Sequence, residues 1–144
     1  DGGFALVVER LGEGHEVGDY LVQLDCDAVA KQDRTPAGRK ALARHVVTYS
    51  LTQAAVKWLC LRATGTRVPV RAVLAGQVVE MLAGAAIDDG RLLRRYADLV
   101  GRRRFHDCTS GGVNGRMLLD QAAHRGLQIP AGAVVTMLVA GDAR

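Results

Sequence analysis

Two long segments carry apolar residues at the three- and four-residue spacing of an α-helix, and each begins at a proline. Thr35 supplies a capping hydroxyl before Pro36, so the sequence predicts a helix from Pro36 to about Ala63. Pro69 opens a second helix, which is expected to end near Ala86. Together with shorter helical segments further along the chain, they predict a mainly α fold with four or five helices in a compact bundle.

The apolar residues of these two helices are expected to form the core. The first helix has two apolar faces, which is typical of a central, buried helix, and its tryptophan is predicted to be a core residue. The second helix has one apolar stripe. The faces of the first helix are Leu42, Val46, Tyr49, Val56, Cys60 and Ala63, and then Val47, Leu51, Ala54, Trp58 and Leu61; the stripe of the second is Val70, Val73, Leu74, Val78, Met81, Leu82 and Ala85.

A third and a fourth helix are predicted in the second half of the chain. Asp88 or Asp89 is expected to cap the third. After a glycine-rich loop, Asn114 is expected to cap the fourth, with Gly126 at its C-terminal end. The apolar stripe of the third helix is Leu92, Leu93, Tyr96, Leu99 and Val100.

The two ends of the chain leave one point of the fold class open. Residues 130–140 are mostly apolar, and periodicity does not separate a buried strand from a helix there, although helix is preferred. Residues 4–8 and 20–24 favour a short N-terminal β-hairpin. The fold becomes α+β if residues 130–140 form a strand beside that hairpin.

Charge is divided unevenly along the chain. Residues 1–30 hold seven acidic residues against one arginine, whereas residues 31–144 hold eighteen basic residues against eight acidic ones. We therefore predict a single domain over 1–144, with an acidic N-terminal segment at 1–32 and a basic helical core at 33–144.

Composition also bears on the compartment. Three widely spaced cysteines argue against a disulfide framework and fit a reducing environment. No run of about 18 apolar residues without a charge occurs, so no membrane span is predicted. The first residues lack the basic leader and apolar stretch of a signal peptide. These features predict a soluble protein with a cytoplasmic location.

The strongest candidate for a binding surface is the arginine-rich stretch from Arg91 to His106. On a helix its arginines share a polar side, and planar guanidinium groups suit phosphate oxygens. The glycine loop that follows precedes a helix start, where backbone amides attract anions. The candidate binding residues are Arg91, Arg94, Arg95, Arg102, Arg103, Arg104, Gly111, Gly112 and Arg116.

These residues predict a small non-enzymatic helical domain that binds nucleic-acid phosphates or another anionic partner. One alternative is a protein-interaction or self-assembly module. In that interpretation, the acidic N-terminal segment docks on the basic part of a second copy in a homo-oligomer, and the two-faced apolar helix at 36–63 supplies a dimer surface. The arginines can also be simply a solvated helix face that meets the acidic segment of the same chain or of a second copy.

A second alternative is a metal-dependent hydrolase. His106 and Cys108, with the more distant His124, are residue types that ligate metals. Zinc sites normally contain two closely spaced ligand pairs, however, and only one is present here. The sequence therefore assigns no metal ligand, catalytic residue or cofactor.

The His106-Asp107 dipeptide resembles that of the metal-dependent HD phosphohydrolases, over these two residues alone. The resemblance implies an all-helical fold with an earlier histidine and a later aspartate in the metal site, and His45 and Asp120 are the candidates. The flanking sequence lacks the apolar helix that the family places before its dipeptide, so the chain is not assigned to it.

Overall fold

The computed structural model describes residues 30–141, and their regular structure is entirely helical. This confirms the mainly α fold, while the predicted hairpin at 4–8 and 20–24 lies outside the described residues. The elements are α1 (Pro36–Thr64), α2 (Val70–Asp88), α3 (Arg91–Leu99), α4 (Arg103–His106), α5 (Gly115–Ala123) and α6 (Ile129–Gly141), with a π-helical segment, His124–Gln128, between α5 and α6.

Local capping signals place the ends of α1 as predicted. The Thr35 hydroxyl accepts a hydrogen bond from the Gly38 amide at 3.0 Å, and Pro36 occupies the first turn, where its missing N–H loses no helical bond. After Thr64 the chain reaches Gly65, whose left-handed backbone (φ 65°) stops the helix.

The start of α5 agrees with prediction, but the start of α3 does not. Asn114 caps α5, because its side-chain oxygen accepts a hydrogen bond from the Met117 amide at 3.1 Å. Neither Asp88 nor Asp89 caps α3. Asp88 is buried in the last turn of α2, and Gly90, with φ 75°, makes the bend between the two helices.

Gly126 does not end a helix, contrary to the prediction. The chain continues from α5 through the π-helical segment into α6, so residues 130–140 are helical and residues 115–141 form one continuous helix. Pro130 accounts for the wider turn, since in a regular α-helix its ring would meet the carbonyl of Gly126. The π-helical segment accommodates the proline without breaking the helix.

Three long helices, α1, α2 and the helix of residues 115–141, pack with α2 in the middle. α1 and α2 are antiparallel: Lys57 near the end of α1 contacts Glu80, and His45 near its start contacts Asp88 at the end of α2. α6 packs along most of α2, and the π-helical segment also touches it. The interior of the bundle therefore lies between α2 and its two neighbours.

α2 buries the face opposite to its predicted apolar stripe. Leu74 and Leu82 of that stripe are 60% and 62% exposed. Apart from Ile87, the buried residues of α2 repeat every four positions and are small or acidic: Ala72, Gly76, Glu80, Gly84 and Asp88.

α1 shows this inversion only in part: Val46 and Tyr49 of its first predicted apolar face are buried, as predicted, whereas its second predicted face turns outwards. Trp58, predicted as a core residue, is 57% exposed, and Leu51 is 66% exposed. The prediction was wrong for Trp58 and the second face because it assumed that apolar side chains fill the interior, whereas these helices meet largely through small residues and through polar groups that bind one another. The buried face of α1 includes His45, Tyr49, Ser50, Gln53 and Lys57.

The purely apolar core cluster is small and lies where α2, α3 and α5 meet. It consists of Ile87, Leu93 and Ala123. Leu93 is the one residue of the predicted α3 stripe that is buried, while Leu92, Tyr96, Leu99 and Val100 are exposed.

Two glycines allow α2 and α6 to approach closely. A Cβ atom at Gly76 would overlap the Thr136 hydroxyl, and one at Gly132 would overlap the Glu80 side chain. The contact between the two helices therefore depends on the absence of a side chain at these positions.

We expect Gly132→Ala to lower the free energy of unfolding by about 1–3 kcal/mol, because the added methyl group overpacks the interface with Glu80. Gly126→Ala is the matched control. It adds the same methyl group to the same long helix in open space, and we expect no loss of stability. Thermal unfolding followed by circular dichroism measures both, and equal stability of the two variants would contradict the close approach of α2 and α6.

Candidate metal centre

Four buried ionisable side chains meet where α1, α2 and the π-helical segment come together. They are His45, Asp88, Asp120 and His124, with exposed fractions of 2%, 0%, 7% and 0%. Charged groups are buried at high cost unless they bind one another or an ion. This cluster is therefore the part of the structure that most requires a chemical explanation.

Asp88 is the central residue of the cluster. Its Oδ1 atom lies 3.2 Å from His45 Nε2 and 3.7 Å from His124 Nε2. His124 Nε2 is also 3.6 Å from Asp120 Oδ2. One ligand atom from each of Asp88, Asp120 and His124 lies within 4.8 Å of the other two. Side chains from separate parts of the chain thus direct their donor atoms into one small volume.

A chain of hydrogen bonds from the middle of the bundle orients His124. Gln128 Nε2 donates to the Tyr49 hydroxyl at 3.3 Å and to the Glu80 carbonyl at 2.9 Å, so Gln128 Oε1 is the acceptor. His124 Nδ1 donates its hydrogen to that Oε1. In the neutral ring the lone pair is then on Nε2, the atom that faces the two carboxylates and the form that a metal ligand needs.

The local fold of the long helix places these groups. His124 and Gln128 are the first and last residues of the π-helical segment, and Asp120 precedes His124 by four residues on α5. π-helical turns within α-helices occur frequently at functional sites. Here the segment directs His124 towards the carboxylates while Gln128 reaches Tyr49.

Lys31 brings a positive charge to the edge of the cluster. Its Nζ atom lies 2.6 Å from Asp88 Oδ1 and 3.3 Å from His45 Nε2. The other oxygen of Asp88, Oδ2, is buried and has no hydrogen-bond donor among the described residues. Asp88 therefore has capacity for a further cationic or donor partner.

The donor atoms have the spacing that a small divalent cation requires. Atoms bound tetrahedrally at about 2.0–2.2 Å from a zinc ion lie about 3.3–3.6 Å from one another. His124 Nε2 lies 3.7 Å from Asp88 Oδ1 and 3.6 Å from Asp120 Oδ2, close to that range. The separation of 3.2 Å between His45 Nε2 and Asp88 Oδ1 is also close to it. Imidazole nitrogens with carboxylate oxygens suit Zn²⁺, Mn²⁺ and Fe²⁺, whereas Mg²⁺ and Ca²⁺ prefer oxygen ligands throughout.

A second buried polar layer lies further along the bundle. Lys57 Nζ is 3.0 and 3.1 Å from the two carboxylate oxygens of Glu80 and 3.0 Å from Gln77 Oε1. Gln77 Nε2 donates to the Ser50 carbonyl at 3.3 Å. Glu80 also joins this layer to the cluster around Asp88, because its carbonyl accepts the hydrogen bond from Gln128 that fixes His124.

We expect Lys57→Met to lower the free energy of unfolding by about 3–5 kcal/mol, because it leaves Glu80 as an uncompensated buried charge. The double variant Lys57→Met/Glu80→Gln removes both charges, and we expect it to recover most of that loss. Thermal unfolding measures both variants. A single variant as stable as the wild type would show that the pair is not buried.

Two of the six arginines in the predicted arginine-rich stretch form ion pairs. Arg91 pairs with Asp89, and Arg103 donates to both Asp98, at 2.7 Å, and Asp107, at 2.5 Å. The remaining four, which are exposed and have no acidic partner among the described residues, are Arg94, Arg95, Arg102 and Arg104.

The glycine loop is exposed beside the start of α5. Gly111 and Gly112 have φ values of 62° and 75°, which favour glycine at both positions. Arg116 donates to Gln32 Oε1 at 3.0 Å, so this predicted anion ligand contacts the segment before α1. Most of the acidic segment at 1–32 lies outside the described residues, and its predicted contact with the arginines stays a prediction.

His106 and Asp107 do not belong to the cluster. His106 Nδ1 contacts Asp107 Oδ1 at 2.7 Å, and Asp107 is exposed. Hydrogen bonds from Arg103 and then from His106 lower the pKa of Asp107 to about 2, so its charge offsets that of Arg103. The Cys108 thiol lies 3.7 Å from the Ser110 hydroxyl, and hydrogen bonds from Ser110 lower its pKa.

The sequence analysis named three of the four clustered residues, but it did not place them in one site. It considered His124 with Cys108, and it considered His45 and Asp120 only as companions of the HD dipeptide. Asp88 was missed because it was assigned to a helix cap. The signal that could have found it is the four-residue repeat of small and acidic residues on α2, which ends at Asp88.

Comparison of the chain with protein-family models, with curated proteins and with solved structures found no match. A functional proposal therefore depends on the chemistry of the described residues.

Proposed function

We propose that this protein binds one divalent transition-metal ion through His45, Asp88, Asp120 and His124. The observation that supports the proposal is that ligand atoms of Asp88, Asp120 and His124 all lie within 4.8 Å of one another in a buried volume. His45 Nε2 approaches this set through Asp88 Oδ1, at 3.2 Å, and would be the fourth ligand. Zn²⁺ is the probe of choice, because it is tetrahedral with nitrogen and oxygen ligands and has no redox chemistry of its own.

The electrostatics of the cluster support a cation in this place. Asp88 and Asp120 are both buried, and two carboxylates this close together repel each other when both are ionised. A divalent ion would neutralise the pair and would also give Asp88 Oδ2 a partner. Lys31 meets part of this requirement at Asp88 Oδ1, so the metal and the ammonium group compete for that oxygen.

With His45 Nε2 drawn in as the fourth ligand beside Asp88, Asp120 and His124, the donor set favours a structural metal over a catalytic one. Four protein ligands close a tetrahedral site, whereas catalytic zinc sites keep one position for water or substrate. Ligands from α1, α2, α5 and the π-helical segment would tie these elements together. The role that this site supports best is therefore metal-dependent stabilisation of the bundle, and a hydrolase activity would need one of the four ligands to leave.

We expect the chelator-treated protein to bind one equivalent of Zn²⁺ in isothermal titration calorimetry, with a higher unfolding temperature when zinc is present. At a free zinc concentration 100 times the Kd, the stabilisation is about 2.7 kcal/mol. Asp88→Asn and His124→Gln remove central ligands, and we expect each to weaken binding by at least about 100-fold.

Asp89→Asn is the matched control for Asp88→Asn, because the neighbouring carboxylate pairs with Arg91 outside the cluster. It should bind zinc as the wild type does. Circular dichroism establishes that each variant is folded. If the wild type binds no stoichiometric Zn²⁺, Mn²⁺ or Fe²⁺, or if folded Asp88→Asn binds as tightly as Asp89→Asn, the proposal is wrong.

A second candidate function is the binding of nucleic-acid phosphates by the arginine-rich stretch. It is supported by the exposure of Arg94, Arg95, Arg102 and Arg104 with no acidic partner among the described residues. Such binding would be independent of base sequence, because guanidinium contacts to phosphates position a protein without reading bases.

We expect the protein to bind short duplex DNA at low salt, with an affinity that falls steeply as salt is added. Arg94→Gln/Arg95→Gln should reduce the slope of log K against log salt by up to about 1.8. The control Arg67→Gln/Arg71→Gln removes two exposed arginines at the opposite end of α2, one in the loop before the helix and one in its first turn, and should leave the slope unchanged. Fluorescence anisotropy measures both, and no binding at low salt would exclude this function.

A further inference from the structure

The outer surface of the three long helices is strongly apolar. Each helix turns a largely polar or small face inwards and most of its large apolar side chains outwards, although Val46, Ile87 and Ile129 are buried. The exposed residues are Val47, Leu51, Trp58 and Leu59 on α1, Val70, Leu74, Val78 and Leu82 on α2, and Val134, Met137 and Leu138 on α6. Contiguous apolar surface of this extent marks an interaction with another protein or with a membrane.

The interior has the opposite character. The largest fully buried side chains are polar or ionisable, apart from the aromatic ring of Tyr49. Water-soluble bundles are built the other way round, with an apolar stripe inside and polar residues outside. Ionisable residues inside membrane bundles typically face the interior and pair with one another, as Lys57 and Glu80 do here.

The lengths of the weakly charged segments match one another. Between Arg44 and Arg62 of α1 there are 17 residues, and Lys57 is the only Lys, Arg, Asp or Glu among them. Between Arg71 and Asp88 of α2 there are 16, with one such residue. At 1.5 Å per residue these segments span about 24–26 Å, and flanking arginines can extend to the bilayer interface.

α2 as a whole is long and apolar enough to cross a membrane. The helix has 19 residues, Val70–Asp88, and an 18-residue stretch of it has a mean hydropathy of 1.5. Only 28% of that stretch is buried inside the bundle. The sequence excluded a span because every long apolar run is interrupted by a charge. The structure removes this objection for α2, because Glu80 faces Lys57 inside the bundle.

Close packing through small residues is a further common property of helices in lipid. Gly76 and Gly132 let the backbones of α2 and α6 come together, and the Thr136 hydroxyl donates to the Gly132 carbonyl at 2.8 Å. In a bilayer, helices associate through such van der Waals contacts and hydrogen bonds, because lipid chains are as apolar as leucine.

We propose that α1, α2 and α6 form a polar-cored bundle embedded in the hydrocarbon of a lipid bilayer, with their outward apolar faces against the acyl chains. A second copy of the chain is the alternative occupant of this surface. It fits less well, because the apolar faces turn outwards from three helices and one two-fold contact covers only one side of a bundle.

Trp58 provides a direct test, because it is the single tryptophan of the chain and lies on the outward face of α1. The full chain, purified in mild detergent, is diluted into neutral phosphatidylcholine vesicles and floated on a density gradient in 1 M NaCl. High salt and neutral lipid remove arginine–headgroup attraction. We expect flotation with the vesicles, and quenching of Trp58 fluorescence by phosphatidylcholine brominated on its acyl chains.

A matched pair of variants links the result to the outward face of α2. Val78→Lys places a charge in the middle of the apolar surface, and we expect the ratio of vesicle-bound to free protein to fall at least about tenfold. Val113→Lys adds the same charge at an exposed position in the loop before α5, and it should float as the wild type does.

The proposal is overturned if the wild-type chain stays in the lipid-free fraction, whether as a monomer or as a dimer that shields Trp58. It is also overturned if the chain floats but brominated acyl chains do not quench Trp58, or if the two lysine variants partition alike. Zinc titration of the same detergent-purified sample reports on the metal centre separately, so either proposal can fail without the other.

Discussion

Buried charges in the middle of this bundle are the constraint on which its architecture depends. Lys57 and Glu80 are almost completely withdrawn from solvent, and each is tolerable only because the other is within hydrogen-bond distance. This pairing sets the rotation of α1 and α2 about their axes. Once their polar faces are turned towards each other, the large apolar side chains of both helices have to face outwards.

The cluster of His45, Asp88, Asp120 and His124 depends on the same arrangement. The Glu80 carbonyl and the Tyr49 hydroxyl accept from Gln128, and Gln128 in turn fixes the ring of His124. The polar layer in the middle of the bundle therefore orients the His124 ring at the end of the bundle. The inward-facing stripe of α2 reaches the cluster directly, because Asp88 follows Glu80 by two helical turns on the same face.

This architecture explains which predictions from the sequence were confirmed. Helix starts and stops depend on groups close in sequence, such as the Thr35 hydroxyl at the first turn of α1 and the φ of Gly65 at its end, so they were predictable. The inward faces were predictable only in part: Val46 and Tyr49 of α1 are buried as predicted, but the inward face of α2 was not predicted. Choosing the inner face from hydrophobic periodicity assumes that the outer surface is polar. On that basis Trp58 and Leu74 were predicted to face the core, but both lie on the outer surface.

The sequence alone determined the helical content, most helix boundaries, the position of the glycine loop and the concentration of arginines after α2, because each depends on neighbouring residues or on composition. Only the tertiary structure decided that His45, Asp88, Asp120 and His124 meet, since they come from elements up to 79 positions apart. It also decided which side of each helix is inside. The physical reason is that a buried charge needs a partner, and the partner's position follows from how the helices pack.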